Sequence, residues 1–352
     1  MSENPLLNYV RKKSGFYKLP TNGGWYDADE IEYNQLGEVE VFPMVSADEL
    51  LLVNPDGLIS GQSVISLIKS CCPGIKHPEN LYYPDINTLL LAIRKETYGD
   101  TVDQQAVCPK CYTKQMEIIN NHYLDILEKE KVDVESITEE QYNELVDRAK
   151  KESEEEIASM EREHKIMVRA QSFEFNVDEL LGSSKLLPAE KIVETDDGLK
   201  IYVTPMKCSE KIKFMNSLIQ EKKIIKFASD QKTDYTKLLT EDLKTKADEV
   251  YGLYSEYSKL IVDAYATSIS KIKLPDGSFE TNPDHIREYL NRVDIKLGNK
   301  IKTAIDELNT YGIPQKLDLE CECCGHKWEE KFYGYNMSDF FGISSWFYLI
   351  NR

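Results

Sequence analysis

Two Cys-x-x-Cys pairs constrain the fold of this chain more than any other feature of its sequence. The first, Cys108-Pro-Lys-Cys111, ends the first third of the chain, and the second, Cys321-Glu-Cys-Cys324, lies close to the C-terminus. After each pair comes a turn and then a segment that we expect to be a β-strand, at residues 113–118 and 327–333, as in a zinc knuckle. We therefore predict that four thiolates, at roughly 2.3 Å from one Zn²⁺, join segments about 210 residues apart. The predicted ligands of this structural zinc are Cys108, Cys111, Cys321 and Cys324.

Other roles of these cysteines agree less well with the sequence. A redox pair of the thioredoxin type follows a strand and opens a helix, and we expect neither pair to do so. Disulfides fit a chain of eight cysteines less well than a shared metal. Cys323 is too close to Cys324 for good chelate geometry, so we expect it to be a bystander. His326 is an alternative ligand, but four thiolates are better placed, so we expect a surface role or an outer-shell contact for it.

Composition limits the class of protein. The 352 residues include 41% hydrophobic and 10% aromatic residues, enough for a sizeable core, and the net charge of −18 argues against a phosphate-binding surface and for protein partners. We expect no contact with nucleic acid. No apolar run approaches the ~20 residues of a membrane span, and the N-terminus lacks the features of a signal peptide, so we expect no membrane contact and folding in a reducing cytoplasm.

The first part of the chain alternates strand and helix signals. Asn22-Gly23-Gly24 lies between two aromatic pairs and predicts a hairpin over residues 16–26. Residues 37–44 alternate apolar and polar side chains and stop at Pro43-Met44, which predicts a strand, and a helix is expected from Ser46. Residues 54–60 are predicted to be a loop, and residues 62–72 and 84–97 have helical spacing.

Residues 128–165 interrupt this pattern with a strongly charged stretch that is rich in acids. Thr138 and Gln141 form a capping-box sequence, and a thin apolar stripe follows. We predict an inserted helix, either a solvated arm or a docking helix. The stripe consists of Leu145, Ala149, Ile157 and Met160.

Residues 198–210 repeat the design of residues 37–49, since each is an alternating strand that ends at Pro-Met and leads to a helix start. In each copy further helices follow, and then a Cys-x-x-Cys. In the second copy we predict helices over 212–225, 247–268, 284–290 and 294–308, with a turn at Pro275-Asp276-Gly277. The predicted fold is α+β, with internally duplicated strand–helix units joined at a zinc-ribbon-like site of four cysteines and an inserted charged helical arm.

The predicted organisation has four parts. Residues 1–127 form the first repeat, with an N-terminal hairpin and the first knuckle, and residues 128–165 form the acidic helical insertion. Residues 166–337 form the second repeat with the second knuckle. Residues 338–352 are an aromatic tail, which either packs on the core or anchors a partner, and we favour the partner.

The order of these motifs resembles the baseplate hub family of T-even-like contractile-tailed bacteriophages. The resemblance covers the chain except for the charged insertion. It is carried by the two strand–Pro-Met segments, the helix that runs from Asp85 to Gly99 and on to Cys108, the final Cys-x-x-Cys-Gly, and Asp339-Phe-Phe-Gly342. Tyr112 stands where the first knuckle of the family ordinarily has glycine.

The resemblance implies a non-enzymatic structural protein of the baseplate hub, assembled in the host cytoplasm, with other hub and tail proteins as partners and no catalytic residues. A transient assembly chaperone, absent from the mature virion, is the main alternative. A zinc-dependent enzyme is a remote one, because four cysteines close the metal site and the sequence has no Walker loop, Gly-x-Ser-x-Gly or His-Glu-x-x-His.

Overall fold

A computed structural model describes residues 14–27, 29–52, 61–132, 137–210, 212–213, 262–314 and 316–331. The chain divides into two compact units. Among the described residues, the large unit contains those up to residue 100 and those from 177 to 314, and the cysteine unit contains those from 101 to 176 and from 316 to 331. These units are defined by compactness and not by sequence repetition, so the predicted four-part organisation stays a prediction.

All paired strands of the described residues run antiparallel to their neighbours. Strand β1 pairs with β2, β3 with β4 and β9 with β10, while β5 to β8 form one sheet in the order β5-β6-β7-β8. The strands are β1 (Gly15–Lys18), β2 (Glu38–Val41), β3 (Thr101–Ala106), β4 (Gln171–Asn176), β5 (Lys191–Glu194), β6 (Lys200–Val203), β7 (Ile269–Lys273), β8 (Phe279–Glu280), β9 (Lys316–Glu320) and β10 (Lys327–Lys331).

Helices and small antiparallel sheets together make this an α+β protein, as predicted. The α-helices are α1 (Ser46–Leu52), α2 (Gln62–Cys71), α3 (Tyr83–Tyr98), α4 (Pro109–Glu130), α5 (Glu139–Arg162), α6 (Val177–Gly182), α7 (Pro283–Leu290) and α8 (Ile295–Asn309). A 3-10 turn spans Pro78–Asn80.

The first half of the large unit packs around α3. From Tyr83 to Ile93 every side chain of this helix is buried, including Leu89 and Ile93 at 0% exposure. Strand β2 supplies Val39 and Val41 to the same core, because alternate side chains of a strand share a face. The strand predicted over residues 37–44 and the helices predicted after Ser46 and over residues 62–72 and 84–97 are confirmed.

The hairpin predicted over residues 16–26 is wrong. Tyr17 lies in β1, which pairs with β2, so Tyr17 faces Val39 and not the aromatic residues beyond the glycines. Asn22 and Gly23 do form a turn, with positive φ angles of 48° and 74°. The residues after this turn do not form a second strand. They are instead hydrogen-bonded to a buried carboxylate.

That carboxylate is Asp85, in the first turn of α3. It is fully buried and accepts hydrogen bonds from the backbone N–H of Thr21 (3.0 Å), the Thr21 hydroxyl (2.6 Å) and the Tyr26 hydroxyl (2.7 Å). Burial outweighs these three donors and raises the pKa of Asp85 from 3.8 to about 6. The network ties residues 19–26 to the N-terminus of α3.

The second half of the large unit packs α7 and α8 against the inner face of the sheet. Ile201 and Val203 of β6, Ile272 of β7, and Ile305 and Leu308 of α8 are buried together. The predicted strand that ends at Pro205-Met206, the turn at residues 275–277 and the last two predicted helices are confirmed. Residues 262–267 are helical as predicted. The predicted loop at 54–60, most of the helix over 212–225, the part of the next helix before residue 262 and the aromatic tail lie outside the described residues.

The two strand–Pro-Met segments begin with the same kind of turn. Before β2, Asn34 and Gly37 form a turn in which the Gly37 N–H donates to the Asn34 carbonyl at 3.1 Å. Before β6, the Gly198 N–H donates to the Thr195 carbonyl at the same distance. Both glycines have φ angles in the left-handed region, 75° and 85°, which glycine adopts without strain.

The two segments also end in the same way. The residue before each proline donates its N–H to a carbonyl at the end of one helical segment, and each methionine donates its N–H to a polar side chain in the last turn of another helix. These hydrogen bonds are Phe42 N to Cys71 O (2.8 Å), Thr204 N to Ser268 O (2.8 Å), Met44 N to Thr97 Oγ1 (2.9 Å) and Met206 N to Asn309 Oδ1 (2.9 Å).

The cysteine unit contains the helices α4 and α5 and the strand pairs β3–β4 and β9–β10. The strand predicted over residues 113–118 is wrong, since these residues lie in α4. Cys108 is the N-cap of α4 and Pro109 follows it, a favourable start because proline lacks only an N–H that the first helical turn leaves unbonded. The strand predicted from residue 327 is confirmed as β10.

The inserted helix is confirmed as α5, and its N-terminus has the predicted capping box between Thr138 and Gln141. Its thin apolar stripe is not solvated. Leu145 and Ala149 are buried with Ile126 of α4, while Ile157 and Met160 pack against the cluster that contains the cysteines. One face of α5 therefore belongs to the core of the cysteine unit, and the acidic face is exposed.

Candidate metal centre

Two different local structures hold the two Cys-x-x-Cys pairs. Cys108 and Cys111 lie at the N-terminus of α4, where the Tyr112 N–H donates to the Cys108 carbonyl at 2.9 Å. The first pair thus follows β3 and opens a helix, which corrects the expectation that neither pair does so. The thiols of Cys108 and Cys111 face those of the second pair.

Cys321 and Cys324 lie in the connection between β9 and β10. The Cys321 N–H donates to the His326 carbonyl, and the Gly325 N–H donates to the Cys321 carbonyl, both at 2.9 Å. Gly325 has a φ of 63°, which a residue with a side chain rarely adopts, so glycine is favoured at this position. The second pair therefore lies in the turn of a β-hairpin, whereas the first pair opens a helix.

The structure brings together all four sulfur atoms predicted to bind zinc. Their Sγ atoms lie within 4.8 Å of one another, and three of the separations are 3.7 Å (Cys108 to Cys324), 3.8 Å (Cys111 to Cys321) and 3.6 Å (Cys111 to Cys324). Tetrahedral ligands at roughly 2.3 Å from a zinc ion are about 3.8 Å apart. Sulfur atoms joined in a disulfide are only about 2.05 Å apart, and all eight cysteines are free. The four cysteines therefore lie close enough to bind one metal ion.

Protein donors surround the sulfur atoms. The Gln171 side chain donates from Nε2 to Cys321 Sγ at 3.1 Å, and its Oε1 accepts from the Glu322 N–H at 3.1 Å, so one amide ties the start of β4 to the second pair. The N–H of Met167 donates to the Cys111 sulfur. Such outer contacts orient ligands and stabilise their charged form.

The thiols differ in their tendency to ionise. Burial raises the pKa of Cys108 and of Cys111. Burial also raises the pKa of Cys321, but the Cys324 N–H and the Gln171 amide donate to its sulfur and bring the pKa down to about 7. Cys321 is therefore the thiol of these three that most readily becomes a thiolate, the form that binds metals.

Cys323 and His326 make other contacts. Cys323 donates from its sulfur to the His164 carbonyl at 2.9 Å, and the His326 ring stacks on Trp328 at 6.2 Å between centroids. Sequence reasoning missed Gln171, because nothing in its neighbourhood marks it as different from any other polar residue at the start of a strand. It also missed Trp328 and Phe173, whose rings meet edge to face at 5.8 Å beside the cluster.

Comparison with protein families gives a match over the first part of the chain. Residues 32–132 match the family described as T4 bacteriophage base plate protein. The resemblance to a T4-like phage base plate protein is confirmed over these residues. They run from the residues before β2 to the end of α4 and include Cys108 and Cys111, whereas Cys321 and Cys324 lie outside the match.

No curated protein and no solved structure matches this chain. Within the part of the chain that the structure describes, none of the helices combines the length and the apolar composition needed to cross a bilayer. Residues 32–132 are thus similar to phage base plate proteins, and the cysteine cluster is compatible with a bound metal.

Proposed function

We propose that this protein is a structural component of the baseplate hub of a contractile-tailed phage, that it acts through contacts with other hub and tail proteins, and that one structural zinc stabilises it. The observation that carries the proposal is the match of residues 32–132 to base plate proteins. The assignment to the hub rests further on the order of motifs along the rest of the chain, which resembles the hub family.

Zinc is the proposed ion, and Cys108, Cys111, Cys321 and Cys324 are its proposed ligands. Four thiolates and a tetrahedral spacing suit Zn²⁺, and their S–S separations of 3.6 to 3.8 Å match that geometry. The ion supplies cross-linking and no chemistry on a substrate, because four protein ligands fill all positions of a tetrahedral site. This supports a structural and not an enzymatic role.

Internal duplication is the proposed origin of the architecture. Matched turns precede β2 and β6, and matched hydrogen bonds follow them at Pro43-Met44 and Pro205-Met206. In each copy a helix, a strand and a Cys-x-x-Cys then follow in that order along the chain, as α3–β3–Cys108 and α8–β9–Cys321. The copies differ at the cysteines, because the first pair opens a helix and the second lies in a hairpin.

Quantitative mass spectrometry of purified phage particles and of hub assembly intermediates tests the function. A hub subunit is expected in both, at a fixed ratio to the other hub proteins. An assembly chaperone is expected only in the intermediates, which would contradict the proposed permanent role. Absence from both preparations would contradict any place in the hub.

A further inference from the structure

A groove of about 530 Å³ lies between β5 and α8 in the large unit. Strand β5 is the edge of its sheet, so only one side of its backbone has a neighbouring strand among the described residues. Val193 and Ala304 are both buried and line the groove, and polar side chains of α8 form its opposite wall. The groove therefore joins an open strand edge to a helix face.

The register of the sheet shows which backbone groups of β5 point away from β6, toward its open edge. At the turn, the Thr195 N–H donates to the Leu199 carbonyl at 3.0 Å, and the register continues with Val193 opposite Ile201. Residues of an antiparallel strand direct their N–H and C=O alternately to either side. Val193 thus bonds to β6, while Ile192 and Glu194 direct their backbone groups to the open edge.

Some of the charged side chains that line the groove have an ion-pair partner, and others do not. Lys191 on β5 pairs with Glu307 on α8 at 2.6 Å, so these two lining charges compensate each other. Glu194 pairs with Lys200 at 2.7 Å, so its charge is also compensated.

Two further wall residues, Lys296 and Lys300, are exposed and have no carboxylate partner among the described residues. They lie four residues apart on α8, where like charges slightly destabilise a helix. In a chain with a net charge of −18, this unpaired positive wall fits an acidic ligand.

We propose that β5 docks an extended acidic segment of a partner protein, which adds to the sheet as a fifth strand and places carboxylates against Lys296 and Lys300. Strand addition takes its affinity from main-chain hydrogen bonds and its specificity from the side chains around the edge. A nucleic acid has no backbone donors and acceptors at the spacing of a strand, so the edge favours a peptide. The inference deepens the proposed function, in which the chain acts through protein contacts.

Selection of a random twelve-residue peptide library on the purified full chain tests the proposal, followed by fluorescence anisotropy of the enriched peptides. We expect acidic sequences to be enriched, and their Kd to rise at least tenfold in the double variant Lys296→Glu, Lys300→Glu. Lys302→Glu is the matched control for the single variant Lys300→Glu, because each reverses one lysine charge on an exposed position of α8 and only Lys300 lines the groove. The Kd of Lys302→Glu should stay within twofold of the wild type.

Two further measurements address the backbone. Ile192→Pro removes an edge-directed N–H without removing a hydrogen bond to β6 and should also raise the Kd at least tenfold, whereas Ile192→Ala keeps the N–H and should have a smaller effect. Alternate N-methylation of the enriched peptide removes its own donors, so it should abolish binding to the wild-type chain. This peptide-side test does not depend on the folding of a variant.

Enrichment of basic or no peptides, equal weakening by Lys302→Glu, or unchanged binding of the N-methylated peptides would each overturn the proposal. So would tighter binding of an oligonucleotide that the double variant loses. Because these assays use the purified chain, the groove can fail while mass spectrometry still finds the protein in the hub, and the reverse also holds.

Discussion

The large unit and the cysteine unit are stabilised by different means. Among the described residues, the large unit has one cluster of seventeen buried apolar side chains and another of eleven. The cysteine unit has clusters of five and three, and three of the five are the candidate ligands Cys108, Cys111 and Cys321. Apolar burial can therefore stabilise the large unit to a greater extent than the cysteine unit, whose larger cluster is built around the candidate ligands themselves.

The difference teaches what the proposed metal does. Where the core is small, a metal that joins distant segments supplies folding free energy, so its loss should appear as local unfolding. In the large unit, truncation of a single buried side chain should lower the stability, whereas loss of the metal should not. Four changes test this contrast, in order of expected effect.

The largest effect is expected from Cys108→Ser or Cys321→Ser. Structural zinc contributes on the order of 10 kcal/mol, so either variant should lose the metal and the hydrogen-exchange protection of the cysteine unit, while the large unit keeps its protection. Zinc content by elemental mass spectrometry and hydrogen exchange by mass spectrometry check this. The wild type should contain one zinc per chain with all-sulfur ligation by X-ray absorption.

The double variant of Cys108 and Cys321 should cost little more than either single one, because both residues hold one ion. Cys323→Ser is the matched control and should be mild, since Cys323 contacts the His164 carbonyl and lies outside the group of four sulfur atoms. Two metals per chain, or additive effects of the two variants, would contradict a shared site.

Leu89→Ala should destabilise the large unit and leave the metal of the cysteine unit in place. Leu89 is fully buried in α3, so its truncation should destabilise the large unit by about 2–5 kcal/mol through lost burial and a cavity. The urea midpoint of the large unit should fall, and zinc content should not change. Leu50→Ala is the control, because Leu50 is 68% exposed and its loss should cost less than about 0.5 kcal/mol. Loss of zinc in Leu89→Ala would contradict the contrast.

Asp85 should make the large unit pH-dependent. Its pKa of about 6 in the folded protein lies above its ordinary value of 3.8, so the folded state binds the proton more tightly. The contribution of this group is present below pH 3.8 and is lost as the pH rises through about 6, a loss of up to about 3 kcal/mol at about 1.4 kcal/mol per pKa unit.

Urea denaturation between pH 4 and pH 7, followed in the large unit, measures that loss. In Asp85→Asn, which resembles the protonated acid, the decline should disappear. A variant that keeps the full decline would show that other groups cause it.

Gln171→Ala should have the smallest effect of the four. The Gln171 amide donates to Cys321 without binding the metal, and loss of such a contact typically weakens metal affinity about 10–100-fold. Competition with a chromophoric zinc chelator measures the change. Gln105→Ala, on an exposed position of the neighbouring strand β3, is the matched control and should leave the affinity unchanged. Equal affinities of the two variants would remove Gln171 from the site.

Much of the local structure could be predicted from the sequence. Short-range patterns identified β2 and β6 by their alternation, α3 and α8 by their helical spacing, and the start of α5 by its capping box, because each depends on residues within a few positions. At residues 113–118, where a strand is predicted, the local sequence in fact favours a helix. Pro109 at a helix start and the helix-forming Lys, Gln, Met and Glu residues that follow favour the helix observed there.

The four sulfur atoms that the structure brings together could be predicted from cysteine spacing, because two residues between cysteines is a spacing at which both thiols can bind one metal ion. Only the tertiary structure decided that Tyr17 pairs with Val39, that Tyr26 binds Asp85, that Gln171 supports Cys321, and that no strand of the described residues covers the edge of β5 beside α8. Each of these contacts joins segments that are far apart in the sequence, and no local sequence pattern links them. Propensity and periodicity act over a few residues, whereas burial and hydrogen bonding between distant segments are settled when the whole chain packs.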